Sequence, residues 1–382
     1  MEKVMDDKIK GIYKNSGVDI NELLGQGGFG EVYKCKMQSA IKHIPLKNKE
    51  YEDAFFRELK TMSEINHPNV VRLYKAEKIK DESFGYIIME YVEGKNLAEV
   101  ISNCLPTKIL EGNQGNSKHQ EQSTQTDTPP QINTVEGLYF PFGNSKLLQY
   151  LLQATTGLIA IHKKGIIHRD IKPNNIIINY SKDELKIADF GLAKRIEAEH
   201  LDLSFYSICG TAQYMAPEQM EYNFRMQEKQ LIAATDIYSL GATFYSVITQ
   251  KCIFDEYIAK YANDFNQAIS IDPELASYSL LDESFQKATK YIWIAKKAIA
   301  KEKNLMVDLA RELDKRVFID NQSNVENLNT EIQRILIQML QPNKQDRYLN
   351  AECLFYDLRK VAKKLQLKLD EIDRNFFLAK NG

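Results

Sequence analysis

The sequence predicts an α+β protein with two lobes, and three observations support this prediction. Short β-rich runs and one helical pattern fill the first part of the chain, up to about Tyr91. Mostly helical patterns follow from Leu147 to the C-terminus. The 382 residues suffice for one large two-lobed fold or for two to three compact units. Strands first and helices later are typical of segregated α+β organisation.

Composition and charge exclude several classes of protein. The 50 basic and 52 acidic side chains give a net charge of −2, which argues against a chain that coats nucleic acid. No apolar run approaches the roughly 18 residues needed to span a bilayer, so we expect no transmembrane segment. The N-terminus lacks the apolar region of a signal peptide. The five scattered cysteines predict reduced thiols, so we expect a cytoplasmic protein, with nuclear entry left open.

A glycine-rich turn lies near the start of the chain, at 24–32 (LGQGGFGEV). Glycine lets backbone N–H groups approach phosphate oxygens because no Cβ intervenes. Similar turns open dinucleotide-binding folds, where a helix follows them. Here the residues after Gly30 alternate as in a strand (EVYKCKM), which favours a hairpin that covers phosphates over a helix N-terminus.

A lysine in an apolar strand follows this turn. Lys42 ends the run SAIK, and burying a lysine is costly unless an anionic group meets it. Glu58 lies beside the apolar stripe of the one helix predicted in this part of the chain, and it is the candidate partner. An ion pair between them would direct the ammonium group towards phosphate.

The strongest signal lies at 167–175 (IHRDIKPNN) and in the DFG triplet that starts at Asp189. Asp170 can accept a hydroxyl proton, and Lys172 can hold charge on a transferring phosphoryl group. Oxygen ligands such as those of Asp189 and Asn175 suit Mg²⁺. Each short motif is common by chance, whereas the whole set in this order is not.

These motifs together resemble the signature of the eukaryotic protein kinase family, serine/threonine type, over about residues 23–365. Ala216-Pro217-Glu218 resembles the end of the family's activation segment, and Arg347 resembles the arginine that pairs with Glu218. The resemblance implies a protein kinase-like fold. Its small lobe would be β-rich with one main helix, and its larger lobe would be mostly helical.

The resemblance also divides the chain into units. The predicted units are an N-terminal extension (1–17), a protein kinase domain (18–365) with a small lobe (about 18–91) and a large lobe (about 92–365), and a C-terminal tail (366–382). The composition shifts over residues 103–145, where the run 114–131 (QGNSKHQEQSTQTDTPPQ) is rich in Gln, Ser, Thr, Asn and Pro and nearly devoid of apolar side chains. Such a segment cannot offset the entropy of ordering, so we predict a disordered insertion there.

By resemblance, the site residues form a catalytic set, an ATP-binding set and a metal-binding set. The implied catalytic residues are Asp170 as base, Lys172, Asn175, Lys42 and Glu58. The implied ATP-binding residues are Leu24, Gly25, Gln26, Gly27, Gly28, Phe29, Gly30, Glu31, Val32, Ala40, Lys42, Glu90, Val92 and Ile177. Asp189 and Asn175 would hold Mg²⁺.

The implied function is transfer of the ATP γ-phosphate to Ser/Thr hydroxyls of protein substrates. Lys172 and Cys209-Gly210-Thr211 resemble the serine/threonine members. One alternative is a pseudokinase-like scaffold or allosteric binding module, which a loss of the lysine or aspartate motifs would have favoured. Another alternative is a kinase-like fold that phosphorylates a small molecule.

Two further segments have open interpretations. By resemblance to the family, Ser207 stands where an upstream kinase or autophosphorylation would add a phosphate that Arg169 would meet; the alternative is that Ser207 is an ordinary polar loop residue. The lysine-rich stretch 285–303 (FQKATKYIWIAKKAIAKEK) predicts a helix with an apolar face. We expect this helix to pack on the large lobe with its lysines solvated; the alternative is a surface for an acidic partner or an anionic membrane.

Overall fold

The structure is a computed structural model of the chain. It describes residues 20–27, 30–35, 39–46, 52, 56, 59, 63–79, 84–103, 144–189, 194–195, 212–220, 232–271, 283–301, 305–314 and 325–381. The architecture is α+β, with a β-sheet region first and a helical region after it, as the sequence predicts.

An antiparallel five-stranded sheet forms the small lobe. Its strands are β1 (Ile20–Gly27), β2 (Gly30–Cys35), β3 (Ser39–Pro45), β4 (Leu73–Lys78) and β5 (Phe84–Glu90). Their order in the sheet is β1-β2-β3-β5-β4. The two central strands are rich in β-branched residues and mostly buried, which is why they form the core of the sheet.

The large lobe contains short strands and long helices. The strands are β6 (Lys95–Asn96), β7 (Ile166–Ile167), β8 (Ile176–Asn179), β9 (Glu184–Ile187) and β10 (Lys194–Arg195). The helices of the described residues are α1 (Leu97–Asn103), α2 (Asn144–Lys163), α3 (Ala233–Thr249), α4 (Asp255–Ile271), α5 (Glu283–Lys301), α6 (Leu305–Asp314), α7 (Val325–Met339), α8 (Ala351–Lys364) and α9 (Asp370–Asn381). None of these helices combines the length and apolar character that crossing a bilayer requires.

Helix α3 is the centre of the large lobe. Every residue from Ala234 to Thr249 is buried, because other helices surround it on all sides. Its Gly241 faces α7, where an added Cβ would lie 2.9 Å from the Cβ of Met339. The missing side chain therefore lets the two helices pack closely.

Two predicted segments lie partly outside the described residues. The predicted helix near Glu58 is helical at Glu52, Phe56, Leu59 and Ser63, and Glu58 itself lies outside the described residues. Of the predicted insertion, 104–143 lies outside them too, while α1 extends to 103 and α2 starts at 144.

The predicted packing of the lysine-rich helix on the large lobe is confirmed, while its described lysines, Lys290, Lys296 and Lys297, are half-buried and not fully solvated. Ile292, Ile294, Ala295 and Ala298 of α5 are buried in the core of the large lobe. Trp293 is half-buried and packs edge-on against Phe265 of α4. The helix therefore buries one apolar face.

The segment predicted as a C-terminal tail contains α9. This helix packs against α2, and its Ile372, Phe376 and Ala379 are buried. Phe376 stacks on Phe355 of α8 with ring centroids 4.2 Å apart. The domain boundaries stay a prediction, and α9 is a docked part of the folded molecule.

Candidate active site

The glycine-rich turn connects two antiparallel strands. Strands β1 and β2 pair up to Gly27 and Gly30, which face each other at the end of the ladder. Gly28 and Phe29, between them, lie outside the described residues. The hairpin predicted from the alternation after Gly30 is confirmed, and no helix follows the turn.

Lys42 of the small lobe meets Asp189 of the large lobe. The Lys42 Nζ atom lies 2.9 Å from Asp189 Oδ1. The lysine side chain is only 7% exposed, whereas the aspartate side chain is 42% exposed. Strand β3 therefore carries a buried cation to an acidic group that remains open to solvent or to a ligand.

Asp170, Lys172 and Asn175 form one hydrogen-bonded group. Lys172 Nζ lies 2.8 Å from Asp170 Oδ2, and Asn175 Nδ2 donates to the same oxygen at 2.9 Å. Asn175 Nδ2 also donates to the Asp170 carbonyl oxygen at 2.9 Å, so the two ends of the segment 170–175 are joined by a hydrogen bond. The Asn175 carbonyl accepts from the backbone N–H of Ala188, next to Asp189, at 2.8 Å.

Two site residues have left-handed backbones. Arg169 has φ = 70° and Asp189 has φ = 61°, which costs a non-glycine residue on the order of 1–3 kcal/mol. Asp236 of α3 stabilises the backbone conformation of Arg169, because its carboxylate accepts hydrogen bonds from the N–H groups of His168 and Arg169, each at 2.8 Å. Gln219 donates to the Arg169 carbonyl at 2.8 Å. Strain held in this way is typical of functional sites.

The acidic groups of the site influence one another. Burial raises the pKa of Asp170, Lys172 opposes this shift, and the Asp189 carboxylate adds to it. Burial also raises the pKa of Asp236, but the hydrogen bond from His162 and the neighbouring donors reverse the shift, so this pKa lies below its usual value. Asp170 is thus the more basic carboxylate, and Asp236 stays ionised as an anchor.

His168 has a fixed tautomer. Its Nδ1 accepts from the Asp170 N–H at 3.3 Å, so Nε2 carries the proton and donates to the Ala188 carbonyl at 3.2 Å. Burial lowers the pKa of His168, which favours the neutral ring that this pattern needs. The histidine thereby joins the two segments that carry Asp170 and Asp189.

The apolar residues of the predicted ATP-binding set are at least partly buried. Ala40 pairs with Met89 across β3 and β5, and both belong to the hydrophobic core together with Val92. Val32 and Ile177 are partly buried and pack against the core. Ala40 therefore lies opposite the end of β5, where Glu90 follows Met89.

Sequence reasoning missed two charged anchors, Asp236 and Lys186. Lys186 is buried, lies 3.0 Å from Glu90 Oε1, and donates to the Pro68 carbonyl at 2.5 Å. A signal for both existed. Asp236 is an acid within the apolar run of α3, and Lys186 is a base within the apolar run LKIA. A charge in a buried element needs partners.

Arg347 and Glu218 form the predicted pair. Two parallel hydrogen bonds of 2.8 and 2.9 Å join the guanidinium and the carboxylate. Thr235 Oγ1 donates to Glu218 as well, at 2.9 Å. The end of the 212–220 segment is thereby fixed to α3 and to the loop before α8.

Five predicted site residues converge on one region. Hydrogen bonds and ion pairs connect the segments that carry Lys42, Asp189, Asp170, Lys172 and Asn175, which come from β3 and from the loops around β8 and β9. Three predicted residues, Gly28, Phe29 and Glu58, lie outside the described residues, and so does Ser207. Of Gly25, Gln26, Gly27 and Gly30, only the backbone is described.

The donor set fits a magnesium ion bound together with a phosphate ligand. Among the described residues, no cluster of three or more His, Cys, Asp or Glu side chains can hold a metal alone. Mg²⁺ typically takes one or two carboxylates and completes its octahedron with phosphate oxygens and water. One exposed carboxylate at Asp189 and the amide oxygen of Asn175, beside the lysine ammonium, match that pattern.

A comparison with protein families agrees with this geometry. The family model described as "Protein kinase domain" matches residues 18–357. The chain therefore belongs to the protein kinase family, whose members are phosphotransferases. A pseudokinase-like scaffold finds no support in these findings.

Individual relatives are distant and longer. The eIF-2-alpha kinase GCN2 of Arabidopsis thaliana is 30% identical over 69% of this chain and 24% of its own length. MAP3K epsilon protein kinase 1 of the same plant is 28% identical over 71% of this chain and 18% of its own length. A probable serine/threonine-protein kinase of Streptomyces coelicolor is 28% identical over 67% and 34%. The match thus spans about a third or less of these relatives.

Proposed function

We propose that this protein transfers the γ-phosphate of ATP, bound with Mg²⁺, to serine or threonine hydroxyls of protein substrates. One observation carries the proposal. The buried Lys42 of the small lobe meets Asp189 of the large lobe at 2.9 Å, next to the group of Asp170, Lys172 and Asn175. A cation, an exposed carboxylate and a second carboxylate of raised pKa are the parts that phosphoryl transfer needs.

Each residue has a defined task in this reaction. Lys42 holds phosphate oxygens, and Asp189 and Asn175 hold the metal ion, which neutralises charge on the transferring group. Asp170 accepts a hydrogen bond from the acceptor hydroxyl and takes its proton as the oxygen bonds to phosphorus. Its raised pKa favours this step. Lys172, 2.8 Å from Asp170, faces the charge that develops on the phosphoryl oxygens.

The choice of serine and threonine is supported by two observations. Lys172 contacts the catalytic carboxylate directly, as the resemblance to serine/threonine members implies. Four of the relatives found are named serine/threonine-protein kinases or probable serine/threonine-protein kinases, from Streptomyces, Myxococcus and Clostridium. Phosphorylation at Ser207 by an upstream kinase or by the protein itself, and a cytoplasmic location, stay predictions.

A phosphotransfer assay tests the proposal. Purified protein with Mg²⁺ and labelled ATP is applied to a peptide array, and acceptor residues are mapped by mass spectrometry. We expect Lys42→Met and Asp189→Asn to lose phosphotransfer, because each removes a nucleotide or metal contact. Asp170→Ala should lose about 10²-fold or more, the usual contribution of a catalytic base.

A surface lysine supplies the matched control. Lys163, the last residue of α2, is exposed and pairs with Glu352 of α8 at 2.9 Å. Lys163→Met therefore makes the same chemical change outside the site and should keep full activity. Undiminished incorporation of phosphate by Lys42→Met or Asp189→Asn would refute the proposed function, and tyrosine as the labelled residue would refute the acceptor class.

A further inference from the structure

Helix α9 lies beyond the residues that match the family model, and it still contacts the interior of the molecule. The match ends at residue 357, whereas α9 covers Asp370–Asn381. Asn375, in the middle of α9, is only 6% exposed. An amide buried to this depth requires partners, because an unpaired polar group costs stability.

The partners of Asn375 belong to the loop that precedes β4. Its Nδ2 atom donates to Asn69 Oδ1 at 3.1 Å. Its carbonyl oxygen accepts from His67 Nε2 at 2.9 Å. The His67 proton must be on Nε2, since its Nδ1 accepts from the Asn69 N–H at 3.1 Å. Two hydrogen bonds therefore join helix α9 to this loop.

The same loop supports the strand that leads to Asp189. The Asn69 carbonyl accepts from the Ile187 N–H at 2.9 Å, and Asn69 Nδ2 donates to the Leu185 carbonyl at 2.8 Å. The Ile187 carbonyl in turn accepts from the Val71 N–H at 2.9 Å. Ile187 ends β9, two residues before Asp189. A shift of Asn69 would therefore be passed to the metal-binding end of the site.

The loop also reaches the end of β5, where Glu90, a predicted ATP-binding residue, lies. Lys186 Nζ donates to the Pro68 carbonyl at 2.5 Å and lies 3.0 Å from Glu90 Oε1. Lys186 is buried, so these contacts and the one with Glu184 at 3.4 Å stabilise its ammonium group. The loop thus touches both segments that frame the proposed nucleotide site.

We propose that Asn375 of α9 is a positioning residue for nucleotide binding, acting through Asn69 and the loop around it. The proposal rests on the proposed function, because it concerns the same site. Asn69 Oδ1 has two donors, Asn375 Nδ2 and Thr156 Oγ1, the latter at 2.8 Å. Removing one of them leaves the buried network partly satisfied and free to shift. Helix α9, which lies beyond the residues that match the family model, thereby affects the affinity for nucleotide without contacting the nucleotide.

Two substitutions at Asn375 test this inference. Asn375→Ala removes the donor and leaves a smaller side chain, whereas Asn375→Leu removes the donor and keeps the branched shape and the number of side-chain heavy atoms; urea unfolding shows which variants are folded. The His67 contact uses the backbone carbonyl and survives in both. We measure the affinity for ADP with Mg²⁺ by calorimetry, the KM for ATP and for a peptide separately, and amide hydrogen exchange.

The expected result is a split between the two substrates. The affinity for ADP should fall, and the KM for ATP should rise, by roughly threefold to tenfold, the effect of about one hydrogen bond. The KM for the peptide should not change. Exchange of the Ile187 and Val71 amides, which belong to the bonded chain, should become faster.

An asparagine on another element is the matched control. Asn350 caps α8 by accepting from the Cys353 N–H at 2.9 Å. Asn350→Ala should lower stability and leave nucleotide affinity unchanged. An equal loss of affinity in Asn350→Ala, or normal affinity in both Asn375 variants, would overturn the inference alone. A wild-type protein that binds no nucleotide would overturn the proposed function as well.

Discussion

Replacing Arg347 by methionine should destabilise the protein strongly, although Arg347 lies in a loop. Its side chain is 0% exposed and forms two hydrogen bonds with Glu218. It also donates to three backbone carbonyls, those of Ala234, Gln341 and Pro342. The guanidinium lies 4.8 Å from the ring centroid of Tyr238. One side chain therefore joins the 212–220 segment, α3 and the loop before α8.

The magnitude follows from what the substitution leaves behind. Glu218 would stay buried with only the Thr235 hydroxyl as a partner, and three carbonyl groups would lose a donor. Removing one member of a buried ion pair costs about 3–5 kcal/mol of unfolding free energy. The exposed pair of Arg334 and Asp357, also 2.8 Å apart, should be worth less than about 1 kcal/mol.

Urea unfolding of a double-mutant cycle measures both numbers. The cycle comprises Arg347→Met, Glu218→Gln and the double variant, with Arg334→Met as the matched surface control. We expect the double variant to be less destabilised than the sum of the single variants, with a coupling of about 0.5–3 kcal/mol. A loss in Arg347→Met no greater than in Arg334→Met would refute the reasoning.

Two more predictions concern the interior around Asn69. Gly157→Ala should lower the unfolding free energy by about 1–3 kcal/mol through overpacking, because the new Cβ would lie 2.7 Å from the Asn69 carbonyl oxygen. This loss should outweigh the higher helix propensity of alanine. Urea unfolding measures the change, and a gain in stability would contradict the prediction. Burial lowers the pKa of His67; the hydrogen bond to the Asn375 carbonyl opposes this shift, and the charge of Lys186 adds to it. The neutral His67 ring therefore stabilises the fold above about pH 6.5, and this stabilisation is lost as pH falls below that value. A His67→Gln variant whose stability has the same acid dependence as wild type would exclude this histidine.

Much of the fold and of the site could be predicted from the sequence, for a physical reason. The segment 167–175 keeps Asp170, Lys172 and Asn175 within six residues, so a single loop brings them together whatever surrounds it. The alternation after the glycine-rich turn likewise predicts a strand, since period-two patterns belong to sheets. Such local signals need no knowledge of distant contacts.

Other features could not be predicted in this way. The contact between Lys42 and Asp189, 147 residues away, is one example, because it joins two distant elements. The ion pair predicted between Lys42 and Glu58 stays a prediction, since Glu58 lies outside the described residues. The segment 366–382 was predicted as a tail, and its helix α9 docks on α2. An amphipathic pattern defines which face of a helix is buried, but not which element covers that face.

The sequence by itself determined which chemical groups this protein has and which short segments hold them, because neighbours along the chain stay neighbours in space. Tertiary structure decided which distant groups meet, as with Asn375 and Asn69, which are 306 residues apart. It also decided which charged side chains are buried and which residues keep a strained backbone conformation. Arg169, for example, has a left-handed backbone whose N–H donates to the Asp236 carboxylate. Those outcomes depend on how helices and strands pack against one another, and the packing energy cannot be read from any one segment of the sequence.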